Sequence, residues 1–181
     1  MSTTETKTTW TIDPAHTTVE FAVKHMMITT VRGRFGQVEG EISPADSGWK
    51  AVAKIDVQSI DTHADQRDDH LRSADFLHVE EFPEITFESQ TVNADLSKAG
   101  NRFKVSGDLT IRGVKRPVEL DVTYEGRGGD PWGGERMSFT ASTRVDRRDF
   151  GLTWNQALEA GGVLVGNDVN ITIDAQVVKQ A

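Results

Sequence analysis

The chain has 181 residues, a mass of 20.0 kDa and a formal charge of −8, which is long enough for one domain with a sizeable buried core. Its acidity argues against a nucleic-acid backbone or an anionic membrane surface as partner, since both select for clustered Lys and Arg. The lack of cysteine excludes disulfide frameworks, thiol nucleophiles, iron–sulfur sites and Cys-based zinc sites.

Residues 1–9 read as a polar tail without the apolar stretch of a signal peptide, which predicts a cytoplasmic location. Residues 10–181 read as a single domain, and no segment is long and apolar enough to cross a bilayer. From Trp10 onward the pattern has period two. Thr17–His25 sets Val19, Phe21, Val23 and His25 against Thr18, Glu20 and Lys24. Val38, Gly40 and Ile42 alternate with Gln37, Glu39 and Glu41, and Ala51, Ala53, Ile55 and Val57 with Lys54, Asp56 and Gln58. A helix is predicted over Ala64–Ala74, capped by Asp61 or Thr62. Glu84–Leu96 reads as a strand whose inward set changes parity between Phe87 and Val92, which suggests a bulge. Strict alternation returns in Phe103–Ile111, Val118–Tyr124, Met137–Val145 and Val169–Val177. A short helical turn is predicted at Asn155–Ala160, stopped by Gly161.

Strands with one wet and one dry face are antiparallel. About eight long strands with almost no helix must hide the dry face and the edges together. An all-β, extended antiparallel barrel does both, and a two-sheet sandwich is the competing architecture. Several inward mid-strand positions are small: Ala53, Gly107, Ala141, Thr143 and Ala175. They leave room for a greasy ligand inside the barrel, or they accept side chains from the opposite wall.

Few polar groups fall on the dry face. His25, at the end of its strand, is either a polar group at the mouth or a histidine satisfied by a loop carbonyl. Met26, Met27 and Ile28 form a soft apolar lip or pack under the next loop. His63-Ala-Asp65-Gln-Arg67-Asp68-Asp69-His70 offers two histidines and three carboxylates, yet its histidines stand two turns apart and no zincin or calcium-loop spacing is present. In the charge-dense stretch Arg144–Gly151, the arginines either bind an anionic head group or pair with Asp146 and Asp149. There is no nucleophile elbow, phosphate loop or dinucleotide fingerprint.

Five blocks in order resemble the YceI-like family of bacterial proteins. They are Asp13-Pro-Ala-His16 with Val31-Arg-Gly33-Arg-Phe35, Arg67–Phe76 with Phe82-Pro83, Gly107–Val118, Asp146–Gly151, and Val165–Val169. Thr17 and Asn167 stand where that family commonly has Ser and Asp. The resemblance implies a lipocalin-like barrel with one or two short helices, and non-catalytic binding, storage or transport of a long-chain isoprenoid (polyprenyl or quinone-type) or a similar amphiphile. The hydrocarbon is expected to thread between Phe21, Val23, Ile55, Phe87, Leu109, Val122, Phe139 and Ile173, with Ala141 leaving room and His25 or Arg148 near the head group. No cofactor is expected beyond that lipid. Exposed strand edges are compatible with a homodimer. The competing readings are a metal-dependent enzyme built on the His63–His70 region and a filled-barrel stress-response scaffold.

Overall fold

The computed structural model describes residues 8–181; residues 1–7 of the predicted tail lie outside them. The alternating runs become strands because a period of two puts every apolar side chain on one face of a pleated sheet. In chain order the strands are β1 (Trp10–Ile12), β2 (Thr18–His25), β3 (Thr29–Phe35), β4 (Val38–Ala45), β5 (Gly48–Asp56), β6 (Ile60–Asp61), β7 (Glu84–Ser89), β8 (Arg102–Ile111), β9 (Val114–Gly129), β10 (Glu135–Asp146) and β11 (Val165–Lys179). All join one antiparallel sheet.

β1 pairs with β4 and β11, and β2 pairs with β3 and β11. β1 with β2, and β3 with β4, therefore serve as single broken strands, and the sheet closes into an eight-stranded antiparallel barrel. Closure leaves β6, paired with the end of β3, as an appended strand. The break between β1 and β2 is a 3-10 turn at Pro14–His16, opened by Asp13, whose Oδ1 accepts from the Ala15 amide at 3.0 Å. The same carboxylate accepts from Arg136 Nη1 of β10 at 2.6 Å. Arg136 also donates to Asp130 Oδ2 (3.1 Å) and Gln176 Oε1 (3.2 Å), so one guanidinium ties the barrel seam across three segments.

Three local expectations are corrected. The helix, α1, spans only Asp65–Arg72, and neither Asp61 nor Thr62 caps it. Ala64 stands at the cap position without a side-chain bond, and the buried Asp68 reaches back to accept from the Thr62 amide (2.9 Å) and hydroxyl. Asn155–Ala160 is not helical: Ala157 bridges Val163, and the Leu158 amide donates to Gly162 O. β7 stops at Ser89 with no bulge, because the Ser89 hydroxyl accepts from the Ala51 amide (2.8 Å) in place of a ladder carbonyl. Val92 then makes a lone bridge to Trp49. Two register shifts do occur, between Ser138 and Phe139 on β10 and between Val165 and Val169 on β11. Among the described residues no helix is long and apolar enough to cross a membrane.

Candidate functional site

The barrel interior divides into two parts. At the end where β1 meets β11, Trp10, Tyr124, Met137 and Val177 are buried together, with Trp49, Phe103 and Phe139 packed on them. This aromatic cluster shuts that end. The rest of the interior holds a cavity of about 380 Å³, within the ~300–1,000 Å³ usual for small-molecule sites. Its wall is almost entirely hydrocarbon, and every strand contributes to it.

Of the residues expected to meet a ligand, Phe21, Val23, His25, Ile55, Phe87, Leu109 and Ile173 line the cavity. Val122, Phe139 and Ala141 do not. Phe139 stacks on Tyr124 with ring centroids 5.4 Å apart, and Val122 and Ala141 are register partners beside that pair. Arg148 is also outside the lining. It is exposed, and it is clamped to Asp146 through Nη2 (2.6 Å) and Nε (3.0 Å). Among the small inward residues, Ala53, Thr143 and Ala175 open onto the cavity. Gly107 does not: a Cβ there would lie 2.6 Å from the Phe87 ring, which covers it. Gly33 is likewise covered by the Phe21 ring, 2.4 Å from where its Cβ would be.

The opposite end, where the exposed Lys24 and half-buried His25 also line the cavity, is only partly roofed, by two segments. α1 and the residues after it supply Leu71, Phe76 and Leu77, and the chain after β10 supplies Phe150, Leu152 and Trp154. His70 joins them edge-on, 5.0 Å from the Phe76 ring and 4.7 Å from the Trp154 ring. Its Nε2 lies 2.9 Å from Asp75 Oδ2. His63, in contrast, is exposed and near Asp61. The two histidines are thus separately engaged, and among the described residues no group of three or more His, Asp or Glu side chains is placed to hold a metal ion.

Two other arginines line the cavity: Arg67, tied to Thr62 through Nε (2.8 Å) and Nη2 (2.7 Å), and Arg147, buried to 5 % exposure. The second is the more deeply set. Among the described residues no carboxylate comes within ion-pair distance of it, although the neighbouring Asp146 charge acts on it. Its guanidinium instead donates to the carbonyls of Leu152 (2.6 Å), Trp154 (2.9 Å), Gly166 (2.8 Å) and Val165 (3.3 Å). Burial pushes its pKa down from the ordinary arginine value. Parity could have found it, since Arg147 continues the inward series Thr143, Val145 by one more step. His25 is half-buried at the cavity wall, and its imidazole has no hydrogen-bond partner among the described residues, so the expected loop carbonyl is not there. Just beyond it, Met26 and Met27 adopt left-handed backbone angles (φ 52° and 63°), at a cost of about 1–2 kcal/mol each. With Ile28 N donating to His25 O, they are the central pair of a four-residue turn with both φ positive, positions that favour Asn-Gly.

A closed antiparallel barrel of this size around an apolar cavity places the protein in the lipocalin-like structural class. Within it, the YceI-like domain profile matches residues 10–177, and the chain belongs to that family. A UPF0312 protein of Staphylococcus aureus strain bovine RF122 / ET3-1 is 40% identical over 174 residues, covering 93% of this chain and 96% of that protein. The YceI protein of Campylobacter jejuni superposes with a TM-score of 0.67 at 26% identity, over 87% of this chain and 90% of that one. A polyisoprenoid binding domain from Saccharophagus degradans has the same fold, with a TM-score of 0.71 at 15% identity over 93% and 97% of the two chains.

Proposed function

We propose that the barrel binds the hydrocarbon of a long isoprenoid or similar amphiphilic lipid, and carries or stores it without changing it chemically. The observation that carries this reading is the 380 Å³ cavity with its hydrocarbon wall. Each methylene transferred from water into such a space contributes about 0.8 kcal/mol. The binding domain from Saccharophagus degradans, named for polyisoprenoids, lends the choice of lipid class its support. A cavity at the small end of the usual range takes one chain, so a long polyprenyl tail leaves part of its length at the mouth. The free imidazole of His25 stands there for a polar head group.

Lipid extracted from the denatured protein with organic solvent, identified by mass spectrometry, tests the reading. The expected result is a stoichiometric long-chain lipid, or, for protein stripped of it, a thermal shift on adding polyprenyl alcohols. Recovery of no lipid together with no binding of added polyprenyl compounds would overturn it.

A further inference from the structure

The hairpin joining β2 to β3 stands at the open end of the barrel and carries three consecutive apolar side chains. Met26 is 44 %, Met27 63 % and Ile28 76 % exposed. None of the three lines the cavity. The β8–β9 hairpin has the same left-handed turn and relieves it with Gly113; here two long thioether side chains occupy the strained positions. Strain kept in order to hold apolar surface in water points to a contact made elsewhere. The strands behind the tip carry Lys24 and Arg32, both exposed and neither within ion-pair distance of a carboxylate among the described residues. An apolar tip backed by free cations has the make-up of a segment that dips below lipid head groups and meets their phosphates.

We propose that this hairpin docks the barrel, mouth first, on the surface of a bilayer containing anionic phospholipid. His25, the last residue before the turn, lines the cavity, so a docked tip sets the opening against the lipid. The net charge of −8 keeps the rest of the molecule off such a surface, which makes the contact oriented and reversible. Its purpose, loading or unloading the cavity, rests on the lipid-carrier reading; the docking itself does not.

The test is flotation of the full chain with unilamellar vesicles of phosphatidylcholine and phosphatidylglycerol. The variant Met26→Asn/Met27→Gly/Ile28→Thr supplies the residues the turn favours, so its thermal midpoint should not fall. It is expected to bind these vesicles at least about tenfold more weakly, while cis-parinaric acid, offered without vesicles, enters the cavity as in the unaltered protein. Arg32→Gln should weaken vesicle binding and flatten its salt dependence. Flotation of the triple variant equal to that of the unaltered protein would overturn the proposal, as would an unaltered protein that does not float. A tip that changes only the oligomeric state would make it a self-association surface and overturn it too. Vesicle binding retained by a protein that takes no cis-parinaric acid would sink the carrier reading and leave docking standing.

Discussion

The Phe21 ring lies over Gly33, its cross-strand partner in β3, because hydrogen is the only side chain that leaves room for it. Gly33→Ala would place a methyl 2.4 Å from Phe21 Cζ and 2.8 Å from Thr62 Cγ2. The expected loss is about 1–3 kcal/mol, as for overpacking elsewhere, read from the urea midpoint at constant m-value. Phe21→Leu in the same chain should restore part of it, since the nearer clash is with the ring. A second residue-scale expectation concerns Asp146. The Arg148 guanidinium and the Arg148 amide hold its carboxyl at about 2, below the ordinary 3.8. A carboxyl with a depressed folded-state pKa stabilises fully above its unfolded value and loses that contribution as pH falls. The turn at Arg147–Phe150 should therefore keep this support at pH 5 and shed it between about pH 4 and pH 2. A titration of the Asp146 carboxyl carbon by NMR with a midpoint near 4 would contradict this.

Among the elements, those read correctly share one property: the two faces of the strand meet different surroundings. β8, the second half of β10 and the middle of β11 alternate because one face meets the interior and the other water. Where backbone groups were satisfied by side chains, periodicity misled. Ser89 ends β7, and Asp68, inside the helix, binds Thr62 ahead of it while no side chain caps the first turn. A legible signal went unread at the three 3-10 turns. Asp13, Asp56 and Asp146 each stand at the first position and accept from the amide two residues on, the usual Asx arrangement. Of the candidate site, the wall residues at the open end were legible from parity. The roof was not, because Phe76, Phe150 and Trp154 come together only through tertiary packing of irregular segments. Arg147 holds that roof. Replacing it with Met removes a donor from the carbonyls of Leu152, Trp154 and Gly166, while Val165 O keeps Asn155 Nδ2 at 2.7 Å. Each buried carbonyl left unmatched costs about 1–3 kcal/mol, so Arg147→Met should open the segment before the barrel unfolds. Limited proteolysis is expected to cut between residues 151 and 164 in the variant and not in the parent. Cleavage at the same rate in both would mean the aromatic contacts suffice.

For the molecule as a whole, the division of the interior sets how much hydrocarbon the barrel can take on the lipid-carrier reading. The aromatic cluster around Trp10 and Tyr124 is a floor, the cavity above it is about 380 Å³, and the way out lies at the end carrying His25. Affinity should rise with each added prenyl unit while new carbons enter the cavity, and level off once they emerge at the mouth, where burial no longer grows. The floor also makes the depth adjustable. Ala175 is the last residue of β11 to line the cavity before Val177 of the floor, and it faces Phe139 across the strand pair. Ala175→Phe raises the floor without touching the mouth. The levelling-off should then come at a shorter chain, with affinity for short prenyl alcohols retained and that for long ones reduced to the same plateau. Titrating a homologous series of prenyl alcohols into parent and variant, at matched thermal stability, reads this directly. A variant that loses short and long chains alike would mean the hydrocarbon does not enter tail first, and that the head group is the end lodged against the floor.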